Sequence, residues 1–241
     1  MSLPISDTHS DFVIPCPDTP WLPVKHSGEF IEGRFPIHRV YCVGRNYADH
    51  AIEMGHDPNR DDPFFFQKNP DNLLYSKDKF PYPSASNNVH HEVELVVALK
   101  SGGTNISIQD AYSHVFGYAV GLDMTRRDLQ GIAKKAGRPW ETGKAFEFSA
   151  PCSWITPADQ FDNIEDAEIS LSINGERRQH GNLNQMIWKI PEMISYLSSL
   201  FTLRPGDLIF TGTPAGVGPV NRGDRMEAEI SGLDRLQMTV V

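Results

Sequence analysis

Val89-His-His-Glu-Val-Glu-Leu-Val-Val-Ala-Leu99 changes character halfway along. Positions 92–95 alternate charged and apolar residues, and every position from 95 to 99 is apolar. Side chains two apart on a strand share a face, so this stretch predicts a strand that enters a core. Working outward, 40–43 is a short apolar run ending at Gly44, and 63–66 is a β-type apolar run. A second buried strand is predicted over 115–122 and a third over 208–210. The alternating stretch 169–173 turns at Asn174-Gly175, a strong hairpin signal. The tail, 225–241, alternates and turns at Ser231-Gly232. Helical patterns are few: 47–54 ended by Gly55, 108–113, 125–136 ended by Gly137, and 185–200. In the last, Met186, Ile190, Met193, Ile194 and Leu197 fall at helical spacing, and Pro191 marks a kink or a new first turn. Residues 69–88 read as loop and turn. Short strands outnumber helices, so the expectation is one β-rich α+β domain over 38–241. Residues 1–37 carry prolines at 4, 15, 17, 20, 23 and 36. They predict an extended arm with a short strand at 12–14, docked through Trp21 and Phe30.

The 241-residue chain is 39% hydrophobic and 22% charged, with enough aromatic residues to build a core. Disorder is excluded as the dominant state. No apolar run approaches the length of a membrane span. With 22 Lys and Arg against 31 Asp and Glu, the net charge is −9, which disfavours a nucleic-acid partner. An acidic small molecule remains admissible where local cations or a bound metal reverse the field. Three widely spaced cysteines without a C-x-x-C pair argue against a disulfide framework or zinc knuckle. The N-terminus has no basic and apolar signal regions. The expectation is a reduced, cytoplasmic protein.

Four clusters could carry chemistry. Glu92 and Glu94 share a strand face, and two like charges in a core-bound segment call for a neutralising partner. A hard divalent cation is one solution, and a solvent-facing strand edge is the other. Asp123, between an apolar strand and a helix, reads as a third ligand or as a helix N-cap. Arg127 and Gln130, three apart on that helix, share a face and can both donate to a carboxylate, while Asp128 points elsewhere. His50 and Glu53 stand at i and i+3, as a base for water oriented by a carboxylate or as a surface pair. The fourth is Thr211-Gly-Thr-Pro-Ala-Gly-Val-Gly218, where the backbone either approaches something closely or simply turns. It lacks the G-K-[ST] of a phosphate loop.

Taken in order, the segments 43–50 (VGRNYADH), 91–94 (HEVE), 123–128 (DMTRRD), 144–146 (KAF) and 211–218 (TGTPAGVG) resemble the fumarylacetoacetate hydrolase family. The similarity covers about residues 38–241. Within the family the chain looks most like small acylpyruvate hydrolases, and the PFFFQKNP segment at 63–70 is similar to that of fumarylpyruvate hydrolases of aromatic-acid breakdown. The resemblance implies a β-rich mixed-sheet roll, dimeric, with few short helices. It implies one divalent cation, Mg²⁺ or Mn²⁺ with Ca²⁺ also fitting, on Glu92, Glu94 and Asp123. It implies that His50, Glu53 and Lys144 serve catalysis, and that Arg127, Gln130 and Thr213 face the substrate. Arg45 and Lys68 are candidates for a distal carboxylate. The implied reaction is hydrolysis of a C–C bond in a 2,4-diketo acid, most specifically fumarylpyruvate to fumarate and pyruvate. A broader acylpyruvate hydrolase, an oxaloacetate decarboxylase on the same site, and a metal-stabilised binding protein without turnover are the alternatives. Small-molecule substrate, a second copy of the chain, and neither nucleic acid nor membrane are the expected partners.

Overall fold

The structure, a computed structural model, describes residues 12–26, 29–48, 62–75 and 79–241. The strand announced by the 89–99 stretch runs Val93–Leu99 and is buried along its whole length. It lies inside a six-stranded sheet ordered Thr156–Pro157, Val115–Leu122, Val93–Leu99, Asp207–Phe210, Arg39–Gly44, Phe64–Lys68. Only Asp207–Phe210 and Arg39–Gly44 pair in parallel, so the sheet is mixed. Alternate residues serve two cores. Tyr41, Val43, Leu95, Val97 and Ile209 face one, while Val40, Cys42, Val96, Ala98, Leu208 and Phe210 face the other. Burial on both faces is why these strands read as continuous apolar runs.

The first core is closed by a five-stranded sheet ordered Glu176–Asn182, Glu168–Ile173, Arg225–Ile230, Leu236–Val240, Lys79–Phe80. The helix Ile190–Leu200 adds Met193, Ile194 and Leu197 to it. One irregularity matters later. Opposite Glu168–Ile173, the register passes from Leu171↔Gln179 to Ser172↔Arg177, so Arg178 is an extra residue, a β-bulge.

The second core is closed by the segment expected to be an extended arm. Trp21–His26 and Glu29–Pro36 form an antiparallel hairpin. Its Leu22, Val24 and Phe35 pack on the outer face of the six-stranded sheet. Trp21 meets Tyr75 at 4.6 Å between ring centroids. The strand expected at 12–14 is absent: Phe12, Val13 and Ile14 are exposed and pair with no strand among the described residues.

The outcome is the β-rich α+β architecture expected, with three α-helices among the described residues. Boundaries shifted for local reasons. The last helix starts at Ile190 rather than 185, because Pro191 belongs in its first turn, where a missing N–H costs nothing. The helix expected from 125 starts at Arg127, since Thr125–Arg126 pairs with Val89–His91. The expected helix at 108–113 is one 3₁₀ turn, Ala111–His114. The helix expected over 47–54 lies, beyond residue 48, outside the described residues. Cys16 is exposed and Cys42 and Cys152 are buried, all as free thiols.

Candidate active site

Strand pairing alone brings the carboxylates together. The Asp123 N–H donates to the Glu92 carbonyl at 2.9 Å, and Glu94 lies two residues further along the same face. One oxygen from each of Glu92, Glu94 and Asp123 lies within 4.8 Å of the others, and all three residues are buried.

Cations surround them unevenly. Lys144 Nζ lies 2.6 Å from Asp123 Oδ2 and 3.0 Å from Glu92 Oε2, and donates to Thr125 Oγ1 at 2.7 Å. Burial alone would lower the Lys144 pKa, but Asp123 and Glu92 outweigh it and hold it above the ordinary lysine value. Beside these two carboxylates Lys144 favours its charged form. The Arg127 guanidinium donates to Glu92 Oε1, and to Gln130 Oε1 at 2.6 Å, across one turn of the helix Arg127–Lys135. Glu94 accepts from the Gly212 N–H at 2.8 Å and has no ion pair among the described residues. Burial first, then Asp123 and Glu92, push its pKa well above the usual carboxylate range. Beside it the Tyr47 hydroxyl is buried without a hydrogen-bond partner among the described residues, and burial and then Glu94 raise its pKa. Three converging carboxylates with oxygen-only donors fit a hard divalent cation, which would keep Glu94 ionised.

The loop after strand Asp207–Phe210 reaches the site because Gly212 adopts φ +95° and a Cβ there would lie 2.7 Å from Asn46 Cβ. Asn46 in turn ties this loop to residue 188: its Nδ2 donates to the Thr211 and Trp188 carbonyls, and its Oδ1 accepts from Trp188 N–H at 2.7 Å. Tyr47, next in the chain, is held by a bridge to Met186. His50 and Glu53 themselves lie outside the described residues.

A cavity of about 50 Å³ opens over Glu92 and Glu94. Arg127, Gln130, Lys144, Thr213 and Arg45 line it, together with the aromatic walls Phe64, Phe66 and Trp140. The structure does not bring Lys68 to this cavity, which corrects its assignment to a distal substrate group. Lys68 is fully buried behind Asp123, with Nζ 2.8 Å from Oδ1, and donates to the carbonyls of Met124 and Lys144. Asp128 does not line the cavity. It accepts from Ser86 Oγ at 2.7 Å and from Asn87 N–H, and fixes the 86–88 loop to the helix start. Burial would raise its pKa, but these hydrogen bonds outweigh it and hold the carboxyl below its ordinary value.

Two residues escaped the reading of the sequence. Lys134 lines the cavity, and its spacing of four from Gln130 and seven from Arg127 was the available signal. Gln179 links the second sheet to Thr213, and no periodic signal marks it.

The family model described as fumarylacetoacetate (FAA) hydrolase C-terminal matches residues 39–241. A fumarylpyruvate hydrolase of Ralstonia is 42% identical over 184 residues, covering 76% of this chain and 95% of its own. A mitochondrial oxaloacetate decarboxylase of Dictyostelium discoideum is 42% identical over 198 residues, covering 81% and 90%. Among solved structures, a fumarylpyruvate hydrolase from Pseudomonas aeruginosa in complex with Mn²⁺ and pyruvate matches with TM-score 0.90 at 50% identity, covering 96% of this chain and 99% of that one. Matched over 39–241, with three carboxylates converging at the strand ends, the chain belongs to the fumarylacetoacetate hydrolase family.

Proposed function

We propose that this enzyme hydrolyses the C3–C4 bond of a 2,4-diketo acid, with fumarylpyruvate as its substrate and fumarate and pyruvate as products. The observation that carries the reading is the juxtaposition of the Glu92–Glu94–Asp123 cluster with Arg127, Gln130 and Lys144 in one cavity. A divalent cation bound by the three carboxylates, Mg²⁺ or Mn²⁺, would supply Lewis-acid stabilisation of enolate charge at the pyruvate end of the substrate. Arg127 and Gln130 hold the substrate carboxylate, and the charge of Lys144 offsets the acidity that would otherwise repel an anion. Thr213 contributes a hydroxyl at the same end. Phe64, Phe66 and Trp140 provide a flat apolar wall for an unsaturated acyl chain.

Arg45 and Lys134 suit a distal carboxylate. Both line the cavity, and the Lys134 pKa is lowered by burial and then by the positive charges of Arg45 and Arg127, which an anion between them would relieve. His50, oriented by Glu53, takes a proton from water, and the hydroxide attacks the C4 carbonyl. The C3–C4 bond then breaks, its electron pair enters the pyruvate enolate, and the proton taken up by His50 is returned to C3 to give pyruvate. A homodimer in the cytoplasm completes the proposal. No described helix is long and apolar enough to cross a membrane.

The similarity to an oxaloacetate decarboxylase favours a second reading, in which the same cavity releases CO₂ from oxaloacetate without an attacking water. Loss of diketo-acid absorbance distinguishes the two. Fumarylpyruvate, acetylpyruvate and oxaloacetate are offered with Mg²⁺, with Mn²⁺ and with neither. Cation-dependent turnover fastest on fumarylpyruvate is expected. Turnover confined to oxaloacetate supports the second reading, and no turnover of any of the three overturns both.

A further inference from the structure

The strand Glu176–Asn182 contains no apolar side chain, yet Gln179 is 1% exposed. The bulge at Arg178 turns this side chain inward, toward the backbone that carries the acidic cluster. Gln179 makes four hydrogen bonds there. Its Oε1 accepts from Val93 N–H, the peptide between Glu92 and Glu94, at 3.1 Å, and lies 2.9 Å from His91 Nδ1. Its Nε2 lies 2.8 Å from the Pro214 carbonyl and 2.8 Å from Thr213 Oγ1. This uses the hydrogen-bonding capacity of a primary amide in full.

Two of these partners are backbone groups whose polarity cannot change. Val93 N–H only donates and Pro214 C=O only accepts, so together they fix which way the amide points. The other two partners must follow. His91 donates from Nδ1, which leaves its Nε2 as an acceptor. The Thr213 hydroxyl accepts from Gln179, so its own hydrogen is directed away from the amide, and Thr213 lines the cavity.

We propose that Gln179 is a positioning residue: held by Val93 and Pro214, it presents the Thr213 hydroxyl to the cavity as a hydrogen-bond donor for an oxo-acid anion. A donor stabilises a carboxylate or a developing oxyanion, whereas an inward lone pair would repel it. The inference rests on the reading of this cavity as an oxo-acid site.

Calorimetric titration of the Mn²⁺-loaded protein with pyruvate tests it, using wild type, Gln179→Met, Thr213→Val and the double variant. Each single variant is expected to weaken pyruvate roughly tenfold, the effect of one hydrogen bond to a charged group. The double variant is expected to lose little more, because both changes remove the same interaction. Gln179→Glu, whose carboxylate accepts from Thr213 and turns the hydroxyl round, is expected to weaken pyruvate further. Wild-type affinity in Gln179→Met alone overturns the inference and leaves the oxo-acid reading standing. Fully additive losses do the same. Wild-type affinity in Thr213→Val overturns both. A further check needs no variant: in the Mg²⁺-loaded wild type, the ¹⁵N shifts of His91 are expected to place the proton on Nδ1, and the opposite tautomer overturns the proposal.

Discussion

Lys68 and Lys144 approach Asp123 from two sides and do different work. Lys144 lines the cavity; Lys68 is sealed behind it, with Asp123 as its ion-pair partner and two carbonyls as acceptors. Removing one member of a buried pair leaves the other charged and unpaired, which costs about 3–5 kcal/mol. Lys68→Met keeps the volume and removes the charge, so urea unfolding is expected to show a loss of about that size, larger without divalent cation than with it. An unchanged midpoint would mean that Asp123 is satisfied without Lys68. At His50 the expected effect is on rate: His50→Ala should lose about 10²–10⁴-fold of fumarylpyruvate hydrolysis while still binding Mn²⁺. Oxaloacetate decarboxylation should be far less affected. A metal-loaded His50→Ala enzyme with wild-type hydrolysis would refute the role. Strand period put Glu92 and Glu94 on one face, but a wet edge and a helix N-cap stayed open beside a ligand cluster, and only the resemblance to the family joined the two glutamates to Asp123. The place of Lys68 was not legible, because its partner lies 55 positions away and nothing local tells a buried lysine from a solvated one.

Among the elements, the bulged strand and the glycine loop depend on each other. A close approach was foreseeable from Thr211-Gly-Thr-Pro-Ala-Gly-Val-Gly218, but what the loop approaches was not. Gly216 has φ +95°, and a Cβ there would lie 2.0 Å from the Arg178 carbonyl oxygen at the bulge. Strand 176–182 offered no warning, since Glu-Arg-Arg-Gln-His-Gly-Asn has no alternation from which a bulge or an inward glutamine could be read. Gly216→Ala meets both the backbone strain, about 1–3 kcal/mol, and the carbonyl. It is expected to lower the melting temperature and to weaken pyruvate binding, because the loop that carries Thr213 must lift. If melting falls while pyruvate affinity stays at the wild-type value, the loop and the cavity are mechanically independent. Asn174 (φ +54°) and Gly175 (φ +81°) show the contrasting case, a turn legible in full because its geometry depends only on its own residues.

For the molecule as a whole, the triad couples stability to pH and to metal. The Glu94 pKa is raised in the folded state, so the metal-free native protein favours a proton that the unfolded chain releases above the ordinary glutamate value of 4.5. Stability of the metal-free protein is therefore lost as pH rises from about that value through the raised one. A bound divalent cation removes this dependence by holding the carboxylate ionised. The increase in melting temperature on adding Mn²⁺ to chelator-treated protein is expected to grow between pH 5 and pH 8. A constant increase would show that Glu94 does not titrate in that range. The hairpin of residues 21–36 belongs to this scale as well. It lies before the matched family segment, and its docking on the outer sheet face could be sensed from Trp21 but not its strand pairing, which proline-rich composition obscures.

The three cysteines make the chain its own gauge of breathing. Cys42 and Cys152 are buried, and burial pushes both thiols up in pKa, while Cys16 stands in solvent. Native protein mixed with a thiol-specific chromogenic reagent is expected to release one equivalent at once, from Cys16. The other two should follow only as fast as the sheet beneath the carboxylates opens. Saturating Mn²⁺ should slow that second phase and leave the first untouched, so that ligand occupancy can be followed by alkylation without any substrate. Equal rates for all three thiols would show that the sheet opens faster than the reagent attacks.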